Sequence, residues 1–135
     1  MKFSQDLTAG GYTIQGYSEG EIIVALPASK ANAENRGRKR MTHSFVITRE
    51  ILVEEWPPEE FDELKVEHFE QVAALEPEVV IFGAGASLRF PRPEVSAIFA
   101  ERGVGLEIMD SRAACRTYNV LAAEGRRVAA ALLIP

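Results

Sequence analysis

Val79-Val80-Ile81-Phe82-Gly83-Ala84-Gly85-Ala86-Ser87 and Val104-Gly105-Leu106-Glu107-Ile108-Met109-Asp110-Ser111-Arg112 decide how this chain is read. Each is an apolar run that breaks at a small or polar turn and leads into a helical pattern. Short apolar runs bounded in this way read as buried strands. Two consecutive strand-turn-helix units of this kind predict neighbouring parallel strands. Beyond the carboxyl ends of such strands lies the crevice where α/β sheets usually hold ligands. The glycine turn at Gly83 and Gly85 and the helix start at Asp110-Ser111 therefore point into one candidate crevice.

Working outward, Phe90-Pro91-Arg92-Pro93 delays the helix between the two strands, with Pro93 suited to its first turn. Val95, Ile98 and Phe99 form its buried stripe, and Gly103 fits a left-handed C-terminal cap. After strand 104–109, a helix from about Ser111 to Ala123, a Glu124-Gly125 turn and a strand from Val128 to Ile134 complete the chain. Upstream, Val66, Phe69, Val72 and Ala73 describe an amphipathic helix ending near Leu75, stopped by Glu76-Pro77. Pro58-Glu59-Glu60-Phe61 opens a short helix, and Trp56-Pro57-Pro58 ends whatever precedes it. Ser44 to Thr48 and Ile51 to Val53 read as two strands or one bent strand. Tyr12-Thr13-Ile14-Gln15 and Ile22 to Leu26, divided by Ser18-Glu19-Gly20, read as an antiparallel hairpin. Residues 28–40 lack periodicity and predict a mobile loop. The element order, a β-rich start followed by βαβαβ, is that of an α/β fold in one domain, residues 1–135.

That length suffices for one hydrophobic core without disulfide staples. Fifteen Lys and Arg against twenty Asp and Glu give a net charge of -5, no general reason to bind nucleic acid or an anionic membrane. A single cysteine, Cys115, forms no intramolecular disulfide. Met1 to Gln15 carries neither an apolar signal core nor an Arg-rich transit pattern, and no segment approaches the roughly 20 apolar residues of a membrane span. A soluble, cytoplasmic protein is the expectation, with membrane association at most peripheral and through a partner.

The turn Gly83-Ala84-Gly85 invites a dinucleotide-binding reading, but Leu88 stands where the closing glycine belongs and no Gly-Lys-Ser/Thr follows. On the 111 helix, at about 100° per residue, Ala113, Ala114, Thr117, Val120 and Leu121 share one face and Arg112, Arg116 and Asn119 the other. Cys115 and Tyr118 lie near the boundaries. A cysteine one turn into a helix gains nucleophilicity only if its pKa falls and a base stands by. His43 and His68 are both remote in sequence, so a packing role for Cys115 is the simpler reading. Asp110 is either a helix cap or a carboxylate facing the crevice. One Cys and two His so far apart make no zinc pattern, and no metal, cofactor or catalytic set is expected. Residues 28–40 carry Lys30, Arg36, Arg38, Lys39 and Arg40 against Glu34, a net +4 that leaves -9 on the rest. The stretch offers no aromatic residue for base stacking, so a solvated loop without nucleic-acid affinity is expected.

Phe82-Gly83-Ala84-Gly85, Glu107-Ile108-Met109-Asp110-Ser111, Ala114-Cys115-Arg116-Thr117-Tyr118-Asn119-Val120-Leu121 and Glu124-Gly125-Arg126-Arg127-Val128-Ala129-Ala130-Ala131-Leu132 together resemble the domain of unknown function 498 family. That family includes the mitochondrial respiratory complex I assembly factor 3 and an adipogenesis-associated protein. The resemblance implies a three-layer α/β domain with a central mixed sheet, joined here to the N-terminal hairpin. It also implies a surface groove involving Gly83, Gly85, Asp110, Ser111, Cys115, Tyr118 and Asn119. Ser111 replaces the threonine common after Met-Asp and keeps a capping hydroxyl. Residues 28–40 are longer and more basic than the family's usual connection.

The expected function is that of a non-catalytic assembly or interaction protein holding a protein partner at the crevice. By the resemblance that partner is a subunit of a respiratory NADH:quinone oxidoreductase. The alternative is a small-anion-binding protein or an enzyme of unknown reaction, with Cys115 or Asp110 as its reactive group.

Overall fold

The computed structural model describes residues 10–135; residues 1–9, most of the stretch inspected for a leader, lie outside the described residues. In chain order the elements are β1 (Thr13–Ser18), β2 (Glu21–Ala25), β3 (Arg38–Met41), β4 (Phe45–Thr48), β5 (Leu52–Val53), α1 (Val66–Ala73), β6 (Val79–Gly83), α2 (Pro93–Glu101), β7 (Gly105–Met109), α3 (Ser111–Ala123) and β8 (Val128–Leu132). Two sheets result: a three-stranded one in the order β1-β2-β3 and a five-stranded one in the order β5-β4-β8-β6-β7. Within the larger sheet β8, β6 and β7 run parallel, while β4 is antiparallel to β8 and β5 to β4. The sheet is therefore mixed, and the fold is α/β with helices on both faces.

Alternation along the central strands sorts the core into two layers. Val79 and Ile81 of β6 and Val128, Ala130 and Leu132 of β8 face α3 and the smaller sheet. Val80, Phe82, Ala129 and Ala131 face the opposite layer, where Phe69 and Val72 of α1 and Val95 and Phe99 of α2 form one cluster with Trp56. Trp56 is 1% exposed, its ring meets Phe69 edge-on at 5.6 Å, and its indole N–H donates to the His68 carbonyl at 3.1 Å. The two prolines after it end the strand region as expected, and a 3-10 turn at Phe61–Glu63 takes the place of the short helix expected from residue 58.

The hairpin is part of a larger unit. Residues 38–40, expected within a mobile loop, belong to β3, which pairs antiparallel with β2 from Ile22↔Met41 to Ala25↔Arg38. No hydrophobic alternation announces this strand because Arg38, Lys39 and Arg40 are all exposed on an open sheet edge, where charge is the common covering. The turn before β3 is built rather than loose. Asn32 Oδ1 accepts from the amides of Glu34 and Asn35, and Asn35 Oδ1 accepts from those of Asn32 and Gly37. Arg36 and Gly37 then reverse the chain at φ 55° and 74°.

Trp56 anchors the α1–α2 layer with both its ring and its N–H. The Trp56→Ala substitution should cost about 3–5 kcal/mol, measured by urea unfolding followed by far-ultraviolet circular dichroism.

Candidate functional site

β6 and β7 lie side by side with Gly83 opposite Met109, so the two turns of the sequence reading emerge together at the carboxyl ends of the parallel strands. They meet on Ser111. Its hydroxyl accepts from the Gly85 amide at 2.8 Å and donates to the Leu133 carbonyl at 2.5 Å, while its own amide donates to the Gly85 carbonyl at 2.8 Å. The Ala84 amide reaches Met109 and the Leu133 amide reaches Gly83, at 2.9 and 3.0 Å, so the ends of β7, β6 and β8 are laced together. Glycine is required at residue 83: a Cβ there would lie 2.8 Å from a Leu132 methyl and 2.9 Å from Ser111 Oγ. Gly85 has φ +101°, a conformation L side chains rarely adopt.

The rest of the α3 segment is committed as well. Asp110 is the N-cap, its carboxylate accepting the Ala113 amide at 2.9 Å, so the positive end of the helix already holds a negative charge. An external anion would meet repulsion there. Tyr118 is fully buried and donates its hydroxyl to the Tyr12 carbonyl at 2.8 Å; burial pushes its phenol up. Asn119 treats Ile14 as a strand would, its Oδ1 accepting the Ile14 amide at 2.9 Å and its Nδ2 donating to the Ile14 carbonyl at 2.7 Å. These bonds fall at the bulge where β1 gains Gln15 between Ile14 and Gly16.

Cys115 is 0% exposed, and burial pushes its thiol up to about 12, against a smaller opposing pull from Arg116. The thiolate, the nucleophilic form, is thereby suppressed. Neither histidine stands beside it. Cys115 lies in the layer between α3 and the two sheets, whereas His43 binds Glu59 and the Trp56 carbonyl, and His68 contacts Trp56 in the opposite layer. His68 Nδ1 accepts the Lys65 amide at 3.0 Å, and burial lowers its pKa.

The seven residues singled out in the sequence are thus brought together along one element and its two neighbouring turns, but mostly inside the molecule. Gly83, Gly85, Ser111, Cys115 and Tyr118 are buried and do not line an open groove. The helix is also rotated from its expected face. Val120 is 56% exposed, whereas Ser111, Ala114, Cys115 and Tyr118 form the buried stripe, because the smaller sheet covers α3 on the side where Asn119 bonds β1.

What the strand ends present to solvent is the rim that follows Gly85. Leu88 and Phe90 are 52% and 68% exposed. Between them Arg89 lies over the Phe61 ring at 4.1 Å and pairs with Asp62 at 3.3 Å. Beside it a cleft of about 180 Å³ runs between Phe61, Leu64, Pro91 and Val95, with Lys65 and Arg92 on its walls. Sequence reading passed over this rim; the signal was there in two large apolar residues placed in a proline-bounded turn that packing alone would leave polar.

Two outcomes follow from the buried groups. Ser111→Ala leaves the Gly85 amide and Leu133 carbonyl without their partner and should cost about 2–3 kcal/mol in a denaturant titration. Cys115→Ser should fold at a cost of about 1 kcal/mol. With native Cys115, stability should decline as pH rises from the ordinary thiol range toward about 12. There the unfolded chain releases a proton that the folded one keeps. The Ser variant should show a shallower alkaline decline, and alkylation of the native thiol should be far slower than in denaturant.

Comparison with known proteins places this arrangement. The family described as a protein of unknown function, DUF498/DUF598, matches residues 14–133. Bovine NADH dehydrogenase (ubiquinone) 1 alpha subcomplex assembly factor 3 is 34% identical over 85 residues, 62% of this chain and 46% of that protein. The 13 kDa major membrane protein of Francisella tularensis is 29% identical over 75 residues, 56% of this chain and 61% of that protein. The chain spans about half the length of the curated relatives it matches. No helix among the described residues is long and apolar enough to cross a membrane. A crystal structure of a Bordetella parapertussis protein superposes with a TM-score of 0.78 at 35% identity, covering 93% of this chain and 98% of that one. With its two-sheet α/β fold and its family match running from β1 past the end of β8, the chain belongs to the DUF498/DUF598 family.

Proposed function

We propose that this protein is a non-catalytic assembly factor that binds a subunit of a respiratory NADH:quinone oxidoreductase, using the exposed rim of the strand-end region. The observation that carries the reading is the 34% identity over 85 residues to a protein named as an assembly factor of that enzyme. The chemistry at the strand ends supports it. The Ser111 hydroxyl, the Asp110 carboxylate and the Asn119 amide all spend their hydrogen bonds on the fold, and the Cys115 thiol is held protonated. Such groups position backbone; they do not turn over a substrate.

The rim has the character of a contact surface. Exposed aromatic and aliphatic side chains that are held rigid lose little entropy on binding, which is how interface anchors contribute most of their free energy. Phe90 and Leu88 stand on a turn bounded by Pro91 and clasped by the Arg89–Asp62 pair.

In a strain lacking the gene, assembled NADH:quinone oxidoreductase should fall, and a tagged copy should recover an assembly intermediate. Phe90→Ser and Leu88→Ser should weaken that recovery several-fold while leaving the unfolding midpoint nearly unchanged, as surface substitutions do. Unchanged enzyme level in the deletion, together with conversion of a defined metabolite by the purified protein, would defeat the reading.

A further inference from the structure

Each sheet ends in a strand paired on one side only. β3 closes the smaller sheet and β5 the larger, and an ion pair from Lys39 of β3 to Glu54, the residue after β5, spans between them. Beside this pair is a cavity of about 330 Å³. Tyr12, Leu26 and Leu52 give it apolar walls, and Lys30, Asn35, Arg38 and the Lys39–Glu54 pair give it polar ones. β3 pairs with β2 on one side only; on its outer side the Arg38 amide is held by the Asn35 carbonyl, and no further strand covers the edge among the described residues.

Charge distinguishes what such an edge can accept. Lys39 and Arg40 are neutralised by Glu54 and Glu21. Among the described residues Lys30, Arg36 and Arg38 form no ion pair, and all three are exposed. A second copy is a poor occupant: two β3 edges laid together would bring the cationic Arg36 and Arg38 of each against their like, and like charges facing across strands destabilise pairing. A nucleic acid would want stacking surface, and Tyr12, the aromatic residue in the cavity wall, is 6% exposed. An extended chain bearing carboxylates fits both features.

We propose that β3 and the adjoining cavity are a docking site for an extended acidic segment of a partner protein. The segment adds to the smaller sheet as a strand beyond β3. One apolar side chain seats against the half-buried Leu26 and Leu52, and flanking carboxylates meet Lys30, Arg36 and Arg38. Main-chain pairing supplies affinity, and the alternate side chains supply selectivity. The site is separate from the rim at Leu88 and Phe90, and its assay needs only the purified chain, so its failure leaves the assembly reading standing and the reverse also holds.

The test uses a short capped peptide alternating glutamate with valine, titrated into the full chain and followed by fluorescence anisotropy and amide hydrogen exchange. Saturable binding is expected with Kd on the order of 10 μM, with slowed exchange at residues 38–41. Arg38→Glu and Arg36→Glu, both at exposed positions, should each weaken binding about tenfold. A peptide with proline at its centre, which lacks a ladder donor and cannot lie flat in a sheet, should bind far more weakly. The proposal is overturned by equal binding of the proline peptide, by equal binding of a lysine-for-glutamate peptide, or by no binding at all. Single-stranded RNA or anionic vesicles bound while the acidic peptide is ignored would overturn it too.

Discussion

One hydroxyl, that of Ser111, holds the carboxyl ends of the parallel strands in place. It has one proton to give and gives it to Leu133 beyond β8; it has lone pairs to offer and offers one to Gly85 beyond β6. Because Ser111 itself begins α3 directly after β7, three strands and a helix are referred to a single buried oxygen. Gly83 exists for the same reason. Any side chain there would push into Ser111 and Leu132, so the glycine clears the space in which the hydroxyl works. What reads in sequence as a ligand-binding turn is the clearance for a structural knot.

From that knot α3 extends the constraint to the rest of the molecule. One face packs on β6 and β8 through Ala114 and Cys115, while Tyr118 reaches the main chain just before β1 and Asn119 that of β1 itself. The Asn119 side chain takes both main-chain groups of Ile14, in a strand that has β2 on one side only. Arg116 adds a bond to the Tyr17 hydroxyl further along β1. At its far end α3 closes on Gly125, whose φ of 80° lets the following amide return to Leu121. The Glu78 carboxylate then takes the Arg127 amide at the entry to β8, which holds its pKa below the usual carboxylate range. The two sheets are thus joined by side chains standing in for strands as well as by the apolar layer between them.

This explains what the sequence disclosed and what it hid. The strands at 79–83 and 105–109 and the helices at 93–101 and 111–123 were legible because burial on one or both faces leaves an unmistakable apolar pattern. β3 was not, because an edge strand with exposed charges has no such pattern; its order comes from pairing with β2 and from two asparagine side chains before it. The juxtaposition of the two turns was legible from topology. Their closure was not: whether Ser111 and Cys115 face solvent depends on the smaller sheet, whose position over α3 is set by contacts more than a hundred residues apart in the chain, from Ile14 to Asn119.

The motifs that make the family recognisable are therefore mainly instructions for folding. Met109-Asp110-Ser111 sets a cap and a knot, Cys115 to Asn119 packs and bridges, and Glu124-Gly125-Arg126 ends a helix and starts a strand. Likeness in these stretches transmits the scaffold, because substitutions there leave buried polar groups unpaired or force backbone into strain. Gly83, Ser111, Cys115 and Tyr118 are buried and present no surface of their own. What distinguishes one member's partner from another's has to reside on surfaces the scaffold leaves free. In this chain the exposed Leu88–Phe90 rim and the basic edge of β3 are such surfaces, because substitution at either costs the fold little.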